Sequence, residues 1–216
     1  MDSLAIVGAG AAGAAAAYRL RDSGRDVTVF EKSRGVCGRA ATRRRHGCHY
    51  DYGANYVKPG DGPVADLVRD LGEDGLVDVE EPVWTFDGDG AIAPGRDSGE
   101  PKWTWETGLT QLAKRLFART DAAVERQTRI ESLARTEDGW TLADADAGRY
   151  GEFDDVLLTP PAPQTAELLA DAHWDDERRD SLRDAAAGVP YRSIVTAVLH
   201  YPFELNRPYY ALVNTD

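Results

Sequence analysis

The chain opens on an apolar run, Leu4-Ala5-Ile6-Val7, that breaks at Gly8-Ala9-Gly10-Ala11-Ala12-Gly13 and resumes as an alanine-rich stretch from Ala14 to Leu20, closed by Ser23-Gly24. That pattern predicts a strand, a tight turn and a helix. Val27-Thr28-Val29-Phe30, rich in β-branched residues and ending at Glu31, predicts a second strand parallel to the first. Together they make a βαβ unit of about thirty residues. Arg34 to Arg45 reads as a loop dense in Gly and Arg, and Tyr50 to Val57 as a short extended segment.

From 59 to 107 Pro, Gly and Asp punctuate brief apolar pieces such as Val77-Asp78-Val79 and Pro82-Val83-Trp84-Thr85-Phe86. Short antiparallel strands with one helix near Val64 to Leu71 are expected there. Thr107 offers an N-cap to a helix from Leu109 to Phe117, in which positions 109, 112, 113, 116 and 117 share an apolar face. Thr128 to Leu133, Trp140 to Leu142 and Asp155 to Thr159 are strand-like, and Asp138-Gly139 predicts a hairpin turn between the first two. Val189 to Tyr201, β-branched and free of Gly, predicts a long strand with Tyr209 to Val213 as its partner.

The chain has 216 residues, 42% hydrophobic and 29% charged, enough for one large or two small domains with real cores. No run of 18 apolar residues occurs, so a soluble, cytoplasmic protein with no membrane partner is expected. The net charge of −12 sets a repulsive field against a phosphate backbone, and nucleic acid is not an expected partner. The 24 Asp and 13 Glu stand against 21 Arg and only 4 Lys, a pattern suited to a halophilic cytoplasm in which salt screens the self-repulsion. Cys37 and Cys48 are too few for a disulfide scaffold or a four-ligand zinc site. His46, Cys48, His49 and Asp51 alternate across a strand and face opposite ways, so no metal is expected.

The chemistry concentrates in the first turn. Gly8, Gly10 and Gly13 have the Gly-x-Gly-x-x-Gly spacing between strand and helix. The first glycine permits the turn, the second lets a pyrophosphate approach the backbone and the third lets helix and strand pack closely. Ala11 and Ala12 bring the helix N-terminus to the phosphates. Glu31, 18 residues after Gly13, ends the next strand where a carboxylate can accept both ribose hydroxyls of an adenosine, a place that disfavours a 2′-phosphate. This motif alone does not separate NAD from FAD.

The run Glu31-Lys32-Ser33-Arg34-Gly35-Val36-Cys37-Gly38-Arg39-Ala40-Ala41-Thr42-Arg43 resembles the segment after the second strand in the flavin amine oxidase superfamily. The resemblance implies that Lys32, Arg34, Gly38, Arg39, Ala40 and Thr42 lie along an FAD, with Arg34, Gly38 and Arg39 beside its pyrophosphate and ribityl chain. A guanidinium beside glycine amides suits two phosphate charges. Cys37 stands where the family has the first of two paired glycines, a replacement that an ordinary backbone conformation would permit. Ala41-Thr42-Arg43-Arg44 followed by Tyr50-Asp51-Tyr52-Gly53-Ala54-Asn55-Tyr56 is most similar to the renalase-type branch, with Asn55 in place of Gln. It implies that Gly53, Ala54 and Asn55 pass the isoalloxazine ring. Thr128-Arg129-Ile130 resembles the strand whose backbone meets adenine, and Asp155 to Gln164, with Thr159 and Pro160, resembles the family's crossover. The family's C-terminal Gly-Asp segment has no counterpart before Asp216, which leads us to expect the front part of a longer protein.

The fold expected is α/β: a Rossmann-like three-layer FAD-binding domain over 1–58 and 108–168, with a mostly antiparallel β substrate domain over 59–107 and 169–216. The resemblance implies an FAD-dependent oxidoreductase acting on a small-molecule substrate, taking a hydride from a C–H adjacent to nitrogen to flavin N5. The substrate would be an amine or a reduced nicotinamide and the acceptor oxygen. A desaturase or protoporphyrinogen-oxidase type and a non-catalytic FAD or NAD sensor are the alternatives. No catalytic residue is legible, and oligomeric state is not encoded in any motif. Trp84, Trp103 and Trp105 read as sheet packing before cavity wall.

Overall fold

A computed structural model of the chain describes residues 2–58, 60, 62–72, 74–95 and 100–215. Residues 59 and 216, named above as domain limits, lie outside the described residues. In chain order the elements are β1 (Ser3–Val7), α1 (Ala11–Leu20), β2 (Asp26–Glu31), a 3-10 turn (Gly38–Ala40), β3 (Thr42–Arg45), β4 (Cys48–Asp51), α2 (Pro63–Asp70), β5 (Leu76–Asp78), β6 (Val83–Phe86) and β7 (Ile92–Pro94). They continue as β8 (Trp103–Trp105), α3 (Gln111–Phe117), β9 (Ala123–Arg126), β10 (Ile130–Arg135), β11 (Trp140–Asp144), β12 (Arg149–Phe153), β13 (Asp155–Leu158), α4 (Ala162–Ala170), α5 (Glu177–Ala187) and β14 (Ala211–Asn214).

Two compact units divide the chain, one from Met1–Ala41 and Thr110–Val195, the other from Thr42–Leu109 and Thr196–Asp216. The first is an α/β unit whose parallel sheet runs β13-β1-β2-β9, with Ile6 opposite Val29 on one side and Leu157 on the other. Strand alternation gives this sheet two apolar faces. Ala5, Val7 and Phe30 pack on Ile130, Leu133 and Leu142 of the antiparallel meander β10-β11-β12 and on Leu168 of α4. Leu4, Ile6 and Val29 point the other way and are buried on the side of α1 and α3, completing three layers.

The second unit is built from small sheets: the antiparallel pairs β3-β4 and β5-β8, and β14-β6-β7, in which β14 runs parallel to β6 and β7 antiparallel. Pro63 opens α2, where a missing N–H costs nothing, and Ala65, Leu67 and Val68 are its buried positions.

Several expectations change. The Arg34 to Arg45 loop contains β3, because Thr42 to Arg45 pair residue by residue with Asp51 to Cys48. The helix expected from Leu109 begins at Gln111 with Thr110 as its cap, since Gly108 at φ +94 keeps the chain out of helix at Thr107. The strand expected from Thr128 begins at Ile130, because Gln127 turns at φ +61 and the Thr128 N–H donates to the Glu31 carbonyl. No strand forms over 189–201, where Ile194 and Val195 are 84% and 95% exposed; β-branched residues favour a pleat only when a neighbouring strand completes the ladder. Its expected partner instead forms β14 against β6. The chain passes from one unit to the other at Ala41/Thr42, Leu109/Thr110 and Val195/Thr196, the second within two residues of the expected boundary and the others away from 58 and 168; α4 and α5 pack together in the α/β unit.

Candidate functional site

The glycine turn sits at the C-terminal end of β1, and its three glycines do three different jobs. Gly8 has φ +101, in the region that favours glycine, and a Cβ there would meet Thr159 Oγ1 at 2.7 Å. Gly13 lies on the first turn of α1 against the Gly8 carbonyl, which a Cβ would reach at 2.0 Å. Gly10 is different, because a Cβ on it would meet nothing within 4 Å. Protein packing thus explains Gly8 and Gly13 and leaves Gly10 open. Gly10 is also the N-cap of α1, which has no side-chain cap and no acidic residue in its first turn. Ala11 and Ala12 begin that turn, half-buried and exposed. The positive end of the helix dipole therefore stands uncompensated beside open space.

Glu31 is buried at the end of β2 with both carboxylate oxygens engaged: Oε2 accepts from the Ala9 N–H at 2.9 Å and Oε1 from the Ser33 N–H at 2.8 Å. The carboxylate is thus a structural brace for the glycine turn, a role the sequence motif did not reveal. Each carboxylate oxygen has a second lone pair, so this bracing leaves acceptor capacity for hydroxyls.

The loop after β2 returns to the turn. The Cys37 N–H donates to the Ala9 carbonyl at 2.8 Å, and a Cβ on Gly38 would touch Gly10 Cα at 3.4 Å. Cys37 itself is at φ +83, so it does not have the ordinary conformation that would permit the replacement without strain. A side chain there costs on the order of 1–2 kcal/mol. The residue is held by its backbone bond and by a side chain buried to 1% exposure. Lys32, Arg34, Gly38 and Arg39 are exposed on this loop and Ala40 is half-buried. The Arg39 guanidinium lies over the Tyr191 ring at 5.9 Å, and the Arg34 carbonyl accepts from Arg126 at 3.4 Å. Arg126 pairs with Glu31 across the sheet and went unnoticed in the sequence because β9 carries no strong apolar alternation.

Among the remaining candidates, Ile130 turns its side chain into the core. Thr159 donates its hydroxyl to the Val7 and Gly8 carbonyls at 2.9 and 3.0 Å, and the Pro160 carbonyl accepts from Thr165 Oγ1 at 3.0 Å. Within the α/β unit the structure thus gathers Gly8, Gly10, Gly13, Glu31, Gly38 and Thr159 about one turn. Thr42, Gly53, Ala54 and Asn55 belong to the second unit. There Thr42 Oγ1 donates to Asp51 at 2.6 Å, Asp51 accepts from the Leu109 N–H, Gly53 and Ala54 are exposed and Asn55 is half-buried. Trp105 is core at 2% exposure, while Trp84 stacks on Tyr209 with ring centres 5.3 Å apart. Tyr210, near Tyr56, has its phenol pKa pushed up by burial and by the neighbouring Tyr56 and Asp51. Among the described residues no helix is long and apolar enough to cross a membrane.

Residues 6–71 match the family described as NAD(P)-binding Rossmann-like domain. A stretch of 69 residues is 42% identical to protoporphyrinogen oxidase 2, chloroplastic/mitochondrial, of Arabidopsis thaliana, covering 32% of this chain and 14% of that protein. Among solved structures, the chain is similar to a CLA-producing fatty acid isomerase from P. acnes, with TM-score 0.67 and 17% identity over 83% of this chain and 63% of that one. It is also similar to putrescine oxidase bound to putrescine, with TM-score 0.66 and 15% identity over 85% and 63%. These structures share the fold, and their names describe different chemistries, so the fold does not select a substrate.

Proposed function

We propose, for a chain whose residues 6–71 match the NAD(P)-binding Rossmann-like domain family, that the glycine turn holds the diphosphate of FAD and that the whole protein is an FAD-dependent oxidoreductase. The observation that carries the proposal is the open side of Gly10 beside the uncapped N-terminus of α1. Nothing in the packing accounts for a glycine there, whereas a phosphate oxygen needs both the space and the amides. Glu31, at the end of the neighbouring strand, supports an adenosine ribose on that side. The Cys37-Gly38 loop closes on Gly10 from the other, with the exposed Arg34 and Arg39 to balance phosphate charge.

Bound in this way, FAD would supply a hydride acceptor at N5 for a C–H adjacent to nitrogen in an amine or a reduced nicotinamide-type substrate, with oxygen as the final acceptor. The contribution of this chain is binding and orientation: the turn fixes the diphosphate, Glu31 the ribose and, by resemblance, Gly53, Ala54 and Asn55 the ring. The resemblance of the segments 41–44 and 50–56 to the renalase-type branch of the flavin amine oxidase superfamily is what supports this substrate class. Purified protein should show a flavin absorbance spectrum and release FAD on denaturation. Under anaerobic conditions, bleaching by a diamine or by a reduced nicotinamide would separate the two substrate classes. Protein that stays colourless after incubation with excess FAD would refute the proposal.

A further inference from the structure

We infer that Thr159 is a positioning residue for the dinucleotide turn, acting on it from the opposite end of the peptide unit that Glu31 braces. The inference rests on the FAD reading above and adds a residue whose hydroxyl is committed to protein. A peptide group is planar, so fixing its oxygen and its N–H fixes its plane. In the unit joining Gly8 to Ala9, the carbonyl oxygen accepts from Thr159 Oγ1 at 3.0 Å and the N–H donates to Glu31 Oε2 at 2.9 Å. Two side chains 128 positions apart in sequence thus grip one peptide at its two ends.

The grip has consequences at both ends. Gly8 is the residue at φ +101, and its carbonyl is the atom on which Gly13 packs, so the orientation of this peptide sets where α1 begins relative to β1. At the other end it sets the carboxylate of Glu31, which would meet the ribose. The single hydroxyl proton of Thr159 is shared with the Val7 carbonyl, which also accepts from the Thr159 backbone N–H at 3.0 Å. Loss of the hydroxyl leaves Val7 with its backbone bond and deprives Gly8 of the Thr159 bond. The effect should therefore concentrate on the Gly8–Ala9 peptide.

Thr159→Val keeps the branched shape and removes the hydroxyl, and Thr159→Ser keeps the hydroxyl. FAD binding, measured by flavin fluorescence well below the melting temperature, should weaken roughly two- to tenfold in the Val variant, the span of one hydrogen bond, and return to the wild-type value in the Ser variant. Hydrogen exchange of the Ala9 amide in the FAD-free protein should accelerate in the Val variant alone. A wild type that binds no FAD refutes the cofactor reading, while faster Ala9 exchange in the Val variant would still show the grip. A wild type that binds FAD, with a Val variant equal to it in affinity and in Ala9 exchange, overturns the inference. If the Val variant does not fold, Thr159→Ala takes its place with the same readouts, and Ser must still match the wild type.

Discussion

Gly13 lies so close to the carbonyl of Gly8 that a Cβ on it would come within 2.0 Å of the oxygen, whereas Gly10, between them, faces open space. Gly13→Ala should therefore strain the backbone and cost about 1–3 kcal/mol in the FAD-free protein, read as a fall in Tm. Gly10→Ala, at a residue whose φ of −69 any amino acid adopts, should leave the stability of the FAD-free protein within about 0.5 kcal/mol of wild type and weaken FAD binding strongly. Thermal scans with and without FAD check both. Equal destabilisation by the two variants would mean that Gly10 is a packing residue like Gly13.

Glu31 accepts from two backbone N–H groups in a buried setting. Glu31→Gln replaces one acceptor oxygen by a donor facing a donor, so it should lower stability by about 1–3 kcal/mol even without cofactor. Denaturant unfolding of the FAD-free variant measures this. A ribose role alone would leave that curve unmoved, so the loss of FAD affinity in a Glu31 variant must be corrected for it.

The βαβ unit was legible because its apolar periods are strong and its glycines stand at a spacing that few other structures require. The Arg-rich strand β3 was not, since Thr42-Arg43-Arg44-Arg45 carries no apolar alternation and is fixed by the hairpin with β4. Helix α5 was missed for a related reason: none of its residues is buried, so no apolar stripe marks it, and its visible signal was the Asp176 cap followed by acidic Glu177 and Asp180. Over 189–201 the propensity for strand was real and its partner was absent from the described residues. At the site, residue types predicted the motif but not its bracing. The bonds from Ala9 to Glu31 and from Thr159 to Gly8 join positions that only the folded sheet brings together.

Asp176 caps α5 through the Arg178 N–H and pairs with the Arg178 guanidinium, which hold its pKa down to about 2 from an ordinary 3.8. A depressed carboxylate pKa stabilises the fold fully above the ordinary value and loses that contribution as pH falls through the folded one. Helix α5 should thus stay capped at pH 4 and fray only on titration from about 3.8 down toward about 2. The carboxyl carbon shift of Asp176 should show its midpoint at about 2; a midpoint near 3.8 would mean that the pair does not form.

The 37 acidic against 25 basic residues give a net charge of −12, and at about 1 M salt the screening length falls to roughly 3 Å. Tm should therefore rise in molar KCl. A Tm that is flat or falls with KCl would contradict the expectation that this acidic surface suits high salt.

Whether the Gly10 turn takes the diphosphate of a flavin dinucleotide is decided by titrating cofactor-free protein with FAD and separately with NADP. FAD binding should be saturable and abolished or greatly weakened in Gly10→Ala, and NADP binding should be much weaker, because the Glu31 carboxylate would repel a 2′-phosphate. FAD binding that is absent, or unchanged in Gly10→Ala, would contradict that role for the turn.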